Sequence, residues 1–310
     1  MSSGFNLPVD ELYFIDMISV SIIGIGRVGG ALALALPADR YFITDLIYRS
    51  SDTIALDIAA SSGTLVNSFE DLGDLDSEII FITTQDAEIA SVSRSLASRL
   101  PGKPFVFHTS GALSSKELAD LAAVGCKTGS IHPLVSISSP ELGPERFKGA
   151  YFCIEGQPEA LDQARQITTS LGGIPFSVET NQKTLYHAAA VTACGHLVAL
   201  FDAAVEMMTK AGLSEDDSKQ VLLPLVKSTV QNLGEQNTAA ALTGTFARAD
   251  IETFVRHLQV LNTSVSDELL EIYLLLGERS LELAAKQGIS AERIEKLRAK
   301  VSIAKSKLKW

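Results

Sequence analysis

Cysteine is scarce, with Cys126, Cys153 and Cys194 the only three among 310 residues. Each sits in an apolar segment and none forms a Cys-x-x-Cys spacing. That excludes a disulfide scaffold and points to reduced core residues of a cytoplasmic protein. Aromatic residues make up only 6%, and the 26 Lys and Arg are outnumbered by 37 Asp and Glu, giving a net charge of −11. A general nucleic-acid binder needs a basic face to neutralise phosphates, so that class is not expected. The one local excess of cations, Lys296, Arg298, Lys300, Lys305, Lys307 and Lys309, reads as a solvated helix end that complements the helix dipole. Residues 1–16 show no cationic segment ahead of an apolar one, and no uninterrupted apolar run of spanning length stands out, so neither secretion nor membrane insertion is expected. The five histidines are scattered without ligand spacing, and no metal site is expected.

The chain is instead rich in apolar residues, 46%, and long enough for two domains. Residues 19–30 organise the reading: a β-branched apolar run enters Gly24-Ile25-Gly26-Arg27-Val28-Gly29 and continues into an Ala/Leu-rich helix pattern. In a Gly-x-Gly-x-x-Gly turn, Gly24 permits a sharp exit from the strand, Gly26 leaves room for a pyrophosphate against backbone, and Gly29 lets the helix pack close to the sheet. Free N–H groups and the positive dipole at the helix start then hold phosphate. The motif alone is weak; its setting between strand and helix patterns, with a second strand at 42–48, makes it a nucleotide-binding signal.

Further strand-like runs lie at 79–83, 105–108, 128–131, 150–154 and 175–178, with helix patterns between them at 86–100, 115–123 and 159–171. This alternation predicts an α/β fold, a doubly wound and mostly parallel Rossmann sheet. Ser114 and Glu117 have the spacing of a capping box. After residue 179 the hydrophobic period lengthens to between three and four, which predicts an all-helical C-terminal domain. The expected division is therefore a dinucleotide-binding domain at 17–179 and a helical substrate and dimerisation domain at 180–310. One long helix is expected over 183–210, and a second over 216–232, kinked or restarted by Pro224. Gly212-Leu213-Ser214 and Gly288-Ile289-Ser290 share one grammar, a left-handed C-cap followed by a serine N-cap, and predict two tight helix corners.

The end of the second strand selects the nucleotide. Arg49 can stack on adenine and pair with a 2′-phosphate, with hydroxyls offered by Ser50 and Ser51, which favours NADP(H) over NAD. Asp45 is the acidic alternative if the strand is shorter. Arg27, Val28, Thr83 and Thr84 complete the candidate cofactor contacts. Three stretches place reactive side chains at the carboxyl ends of strands. They are His108-Thr109-Ser110-Gly111, Ser130-Ile131-His132-Pro133, and the pair Lys183 and His187, one turn apart on a helix face. Hydride transfer to a carbonyl needs a proton donor and a positive charge beside the developing oxyanion, tasks suited to histidine and lysine. Ser110 is placed to orient substrate and Ser130 to touch it. His108 reads as a buried structural residue, and His196 and His257 as packing or surface residues.

Together with Tyr186-His187-Ala188-Ala189-Ala190 and Leu242-Thr243-Gly244, these stretches resemble a group of bacterial Rossmann-like proteins, often labelled NADP-dependent oxidoreductases. Their helical C-terminal half is a domain of unknown function. That group is similar in design to the 6-phosphogluconate dehydrogenase-like superfamily, whose helical domains usually form dimers, so the resemblance implies a homodimer. It also implies that Lys183 matches the lysine that opens the second domain in β-hydroxyacid dehydrogenases, with His187 where those enzymes have asparagine. Ser110 and His132-Pro133 resemble positions in prephenate dehydrogenases, which implies that His132 exchanges the proton of the reacting oxygen. Arg248 is then a candidate for a substrate carboxylate. The associated Thr-Gly-Pro and Arg-Gly-Asp pattern is altered here to Thr243-Gly244-Thr245 and Arg248-Ala249-Asp250, which predicts a differently shaped loop.

The expected activity is an NADP(H)-dependent oxidoreductase acting on a small carbonyl or hydroxyl compound. An imine reductase of the same architecture is the rival within the class. A sensor or assembly protein that holds NADP(H) without turnover is the rival outside it, and would need no convergence of Ser110, His132, Lys183 and His187.

Overall fold

The computed structural model describes residues 17–48, 56, 58 and 64–308. Arg49, Ser50 and Ser51 lie outside them, so the 2′-phosphate reading rests on sequence. The chain divides into two units, Met1–Cys194 and Gly195–Trp310.

The first unit is built on eight strands: β1 Ile18–Ile23, β2 Tyr41–Tyr48, β3 Leu65–Ser68, β4 Ile79–Ile82, β5 Phe105–His108, β6 Lys127–Pro133, β7 Tyr151–Gly156 and β8 Ile174–Phe176. They form one sheet in the order β3-β2-β1-β4-β5-β6-β7-β8. All neighbours are parallel except β6 and β7, which run antiparallel. β3 was not foreseen, because four residues, Leu65-Val66-Asn67-Ser68, carry too little pattern.

The central strands are apolar at nearly every position because both faces are covered. Val20, Ile22, Phe81, Phe107 and Phe152 fill one face. Ile23, Ile80, Ile82 and Val106 fill the other. Helix α1, Arg27–Ala35, and α5, Pro158–Ser170, cover the first face; α2, Asp86–Leu96, covers the second with Ile89, Val92 and Leu96 at helical spacing. Two short helices, α3 Ala119–Ala123 and α4 Gly143–Phe147, complete the layers. The unit ends with α6, Lys183–Ala193, so the observed division falls after this helix, whereas the change of period places it before.

The second unit is helical: α7 Gly195–Lys210, α8 Glu215–Glu235, α9 Thr238–Ala241, α10 Gly244–Ala247, α11 Ile251–Ser264, α12 Asp267–Lys286 and α13 Ala291–Lys305. Phe254, Leu270, Leu274, Leu281, Leu297 and Val301 form its core. Both foreseen corners are present. Gly212 and Gly288 have φ of 104° and 88°, and the hydroxyls of Ser214 and Ser290 accept the N–H groups of Asp217 and Arg293.

Several local expectations need correction. The helix expected over 183–210 is interrupted at Cys194. α8 runs through Pro224 without restarting. Ser114 caps a 3-10 turn, Ser115–Leu118, but its side chain makes no capping hydrogen bond. Ala249 stands in a left-handed backbone conformation, φ 45°, one that a glycine favours. Finally, Thr180–Lys210 is long and apolar enough to cross a membrane by length and composition, contrary to the expectation that no run reaches that length.

Candidate functional site

Parallel pairing brings the carboxyl ends of β1, β2, β4, β5 and β6 to one edge of the sheet. At β1 the chain leaves through Gly24 in a left-handed conformation, φ 93°. A Cβ on Gly29 would stand 2.1 Å from the Gly24 carbonyl oxygen and 2.4 Å from Thr83 Oγ1, so strand, turn and helix approach as only glycine allows. A Cβ on Gly26 would meet nothing within 4 Å, which leaves open space directly over the turn. Gly26 is the N-cap of α1 and supplies no side-chain acceptor, so the first N–H groups of the helix remain for an external anion. This cradle fits a dinucleotide pyrophosphate. Gly29→Ala is expected to abolish nucleotide binding, because the added methyl overlaps backbone; a titration that finds unchanged affinity would contradict the fit.

Arg27 is exposed and Val28 half-buried at the start of α1. Thr83 Oγ1 is directed at the carbonyl oxygens of Ile23 and Gly24 and so braces the turn from below. Thr84 Oγ1 is buried and has no partner among the described residues. Asp45 is committed elsewhere: its carboxylate accepts Ser21 Oγ at 3.0 Å and Asn67 Nδ2 at 2.9 Å, inside the sheet. A bulge between Val20 and Ser21 places it there.

Along the same edge, β5, β6 and β7 place a polar cluster on one face. Register pairs His108 with Ser130, Ser130 with Glu155, and His132 with Cys153. Three side chains of α6 cover it. Lys183, only 1% exposed, places Nζ 2.5 Å from Ser130 Oγ. Tyr186 places its hydroxyl 2.7 Å from His132 Nδ1. His187 adds its ring edge-on to His132, with centroids 5.7 Å apart. Gly111 makes room for both rings, since a Cβ there would lie 2.4 Å from His187 Cδ2 and 2.8 Å from His132 Nε2.

Glu155, which the sequence reading did not single out, is the carboxylate beneath this cluster. It accepts the Ser115 N–H and hydroxyl at 2.8 Å each, the Thr180 hydroxyl at 3.2 Å and the Ser130 hydroxyl at 3.5 Å. It therefore offsets the Lys183 charge through Ser130. No motif carries it, because its partners come from three separated segments. Tyr186 belongs to the resemblance alone, and nothing in the sequence marks a role for it.

Two expected contacts need correction. Ser130 is fully buried and bridges Lys183 and Glu155, so it lies under the site and not on its surface. Ser110 donates to Asp86 Oδ2 at 2.9 Å and accepts the N–H groups of Ala112 and Leu113, so its hydroxyl is spent on holding the 108–113 loop. His108 is structural as expected. Its Nε2 pairs with the Ser114 carbonyl oxygen at 3.0 Å and its Nδ1 accepts the Ser110 N–H at 3.2 Å. Arg248 is exposed in the second unit at the end of α10. His196 is exposed, and His257 pairs with Tyr273 at 2.7 Å in the second unit. Among the described residues no group of three His, Cys, Asp or Glu side chains suits a metal ion.

Burial dominates the electrostatics. It lowers His132 to about 4, helped by the neighbouring His187 and Lys183, so this imidazole is neutral at pH 7. It lowers His108 to about 3, helped by Lys183. It lowers Lys183 to about 8, against the opposing pull of Glu155, Cys153 and Asp86. The unfolded chain binds protons on both histidines from about pH 6.5 downward, whereas the folded chain resists until about pH 4 and 3. Stability of the first unit is therefore present above about pH 6.5 and lost as pH falls toward 3. Unfolding midpoints of the full chain measured between pH 7 and 4 should fall, and His132→Gln should flatten the slope; an unchanged slope would contradict neutral burial of His132.

The comparisons with known proteins agree with this architecture. Residues 14–133 match a Rossmann-like domain model, and residues 150–280 match a domain of unknown function, DUF2520. No curated protein matches the sequence. Among solved structures, protein TM1727 from Thermotoga maritima is 24% identical over 86% of this chain and 99% of its own, with a TM-score of 0.66. BF3122 from Bacteroides fragilis, a proposed NADP oxidoreductase, is 22% identical over 86% of this chain and 98% of its own, with a TM-score of 0.69. Plasmodium falciparum pyrroline carboxylate reductase with NADP bound is 16% identical over 91% of this chain and 97% of its own, with a TM-score of 0.55. These identities establish a shared fold.

Proposed function

We propose, from the union of a Rossmann-like domain with DUF2520, that this protein is an NADP(H)-dependent oxidoreductase acting on a small carbonyl or hydroxyl compound. The observation that carries the reading is placement: a glycine cradle and a titratable cluster of His132, Tyr186, His187 and Lys183 share one edge of one sheet. A protein that only stores nucleotide needs no such cluster. The NADP bound to the Plasmodium relative and the name of the Bacteroides one support the choice of nucleotide.

Gly24, Gly26, Gly29 and the N-terminus of α1 hold the pyrophosphate, with Arg49, Ser50 and Ser51 reserved for the 2′-phosphate. Bound NADPH supplies the hydride. His132 gives its Nε2 proton to the reacting oxygen as Nδ1 takes the proton of the Tyr186 hydroxyl, so the ring stays neutral and half-exposed Tyr186 regains its proton from water; His187 lies beside Nε2. Lys183, kept charged at pH 7 and shielded from water, favours a developing negative charge nearby. Arg248 remains a candidate for a substrate carboxylate. Imine reduction is the second reading, favoured by the likeness to pyrroline carboxylate reductase.

We also assign the protein to the cytoplasm and to a homodimer through its helical half. Val198, Val221, Leu225 and Val230 are more than half exposed, an apolar surface that a partner subunit would cover. The functional reading is tested by following NADPH oxidation with a panel of 2-keto acids, aldehydes and cyclic imines. Turnover of one class is the expected result; inertness toward all of them, with NADPH bound, would favour a sensor.

A further inference from the structure

We propose that Tyr186 is the positioning residue that fixes His132 in its Nε2–H tautomer, so that the site offers a hydrogen-bond donor and selects a carbonyl oxygen over a protonated imine. The substrate half of this inference rests on the oxidoreductase reading above; the tautomer half rests on geometry.

Lys183 and Tyr186 lie three residues apart on α6 and reach the same face of the sheet, one to Ser130 and the other to His132. The Tyr186 ring is held edge-on between Phe176 and His132, with centroids 5.7 Å from each. Its hydroxyl is therefore fixed, 2.7 Å from Nδ1. Burial pushes this phenol well above its ordinary value, so it keeps its single proton. Among the described residues no other acceptor lies within hydrogen-bonding reach of that proton, so the O–H donates to the Nδ1 lone pair. A neutral imidazole carries one N–H, which must then be on Nε2.

Nε2 and Cε1 are the ring atoms packed against Gly111, whose missing side chain leaves room for the ring itself. Nε2 makes no hydrogen bond to the described residues. An N–H at that atom needs a lone pair. A carbonyl oxygen has two; a protonated imine has none and carries an N–H of its own. The Lys183 charge acts in the same direction, since it stabilises an oxyanion and disfavours a second cation.

The test is a long-range proton–nitrogen correlation spectrum of the full chain labelled with nitrogen-15 histidine at pH 7, with His132 assigned by its loss in His132→Gln. The expected result is an Nε2–H neutral ring whose Nδ1 resonance moves in Tyr186→Phe, a variant that keeps the ring packing. An Nδ1–H ring in the wild type, or a spectrum indifferent to Tyr186→Phe, would overturn the tautomer assignment. If Tyr186→Phe fails to fold, the wild-type tautomer alone decides. The substrate half is read with NADPH and either pyruvate and glyoxylate or 1-pyrroline. Turnover of a keto acid, with kcat lowered about 10-fold or more in Tyr186→Phe while KM is unchanged, is expected. Turnover of 1-pyrroline alone overturns the substrate half and leaves the tautomer standing. No turnover with any of them fails the oxidoreductase reading without touching the tautomer.

Discussion

His132→Ala is expected to lower turnover by about 10² to 10⁴, the usual loss when a positioned proton-transfer group is removed. NADPH affinity should barely change, because the cradle is built from Gly24 to Gly29 at the start of α1 and His132 stands at the end of β6. The stability cost should be small by comparison. The ring is half-buried, and its one hydrogen bond among the described residues is to Tyr186. The check is steady-state kinetics of NADPH oxidation with the substrate found in the panel, beside a binding titration of the same variant. Near wild-type turnover would remove His132 from the mechanism. Equal losses in turnover and in NADPH affinity would mean that the substitution disturbs the whole edge of the sheet.

Glu155→Ala is expected to cost about 3–5 kcal/mol of stability, the range found when one partner of a buried charge pair is deleted. Lys183 would remain buried with a neutral serine as its one hydrogen-bond partner among the described residues. The Ser115 N–H and the hydroxyls of Ser115 and Thr180 would lose their acceptor at the same time. Glu155→Gln separates the two contributions, because it keeps an acceptor oxygen and removes the charge. Its cost should be clearly smaller than that of Glu155→Ala, with the Lys183 amine losing the carboxylate that favours its charged form. Amide hydrogen exchange in β5, β6 and β7 reads the effect where it arises. A cost below about 1 kcal/mol for Glu155→Ala would show that Lys183 finds another partner and that the network does not hold this part of the sheet.

What the sequence announces and what it hides follow from how local each interaction is. The glycine motif, the run of buried strands and the two Gly-x-Ser corners are determined within a few residues, and Gly24, Gly212 and Gly288 take the left-handed conformations that their spacing requires. His132, Lys183 and His187 were recognisable as reactive residues at strand ends and helix starts, and the fold brings them within one cluster. Tyr186 and Glu155 carry no visible role in the sequence, because a tyrosine beside a histidine and a glutamate in a strand acquire meaning only when side chains of α6 reach His132 and Ser130. Ser110 and Ser130 were misplaced for the same reason. A hydroxyl shows itself as a potential substrate contact in sequence, while its actual partners, Asp86 for one and Lys183 with Glu155 for the other, lie 24 or more residues away. Ala249 teaches the converse: tertiary packing holds it at φ 45°, although its own preference lies elsewhere.

The most direct test of the central claim is a fluorescence titration of the purified chain with NADPH and with NADH side by side. The account predicts saturable NADPH binding, much weaker NADH binding, and loss of both in Gly29→Ala. Binding of neither nucleotide by the wild-type chain would contradict it, and the cluster around His132 would then need a different explanation.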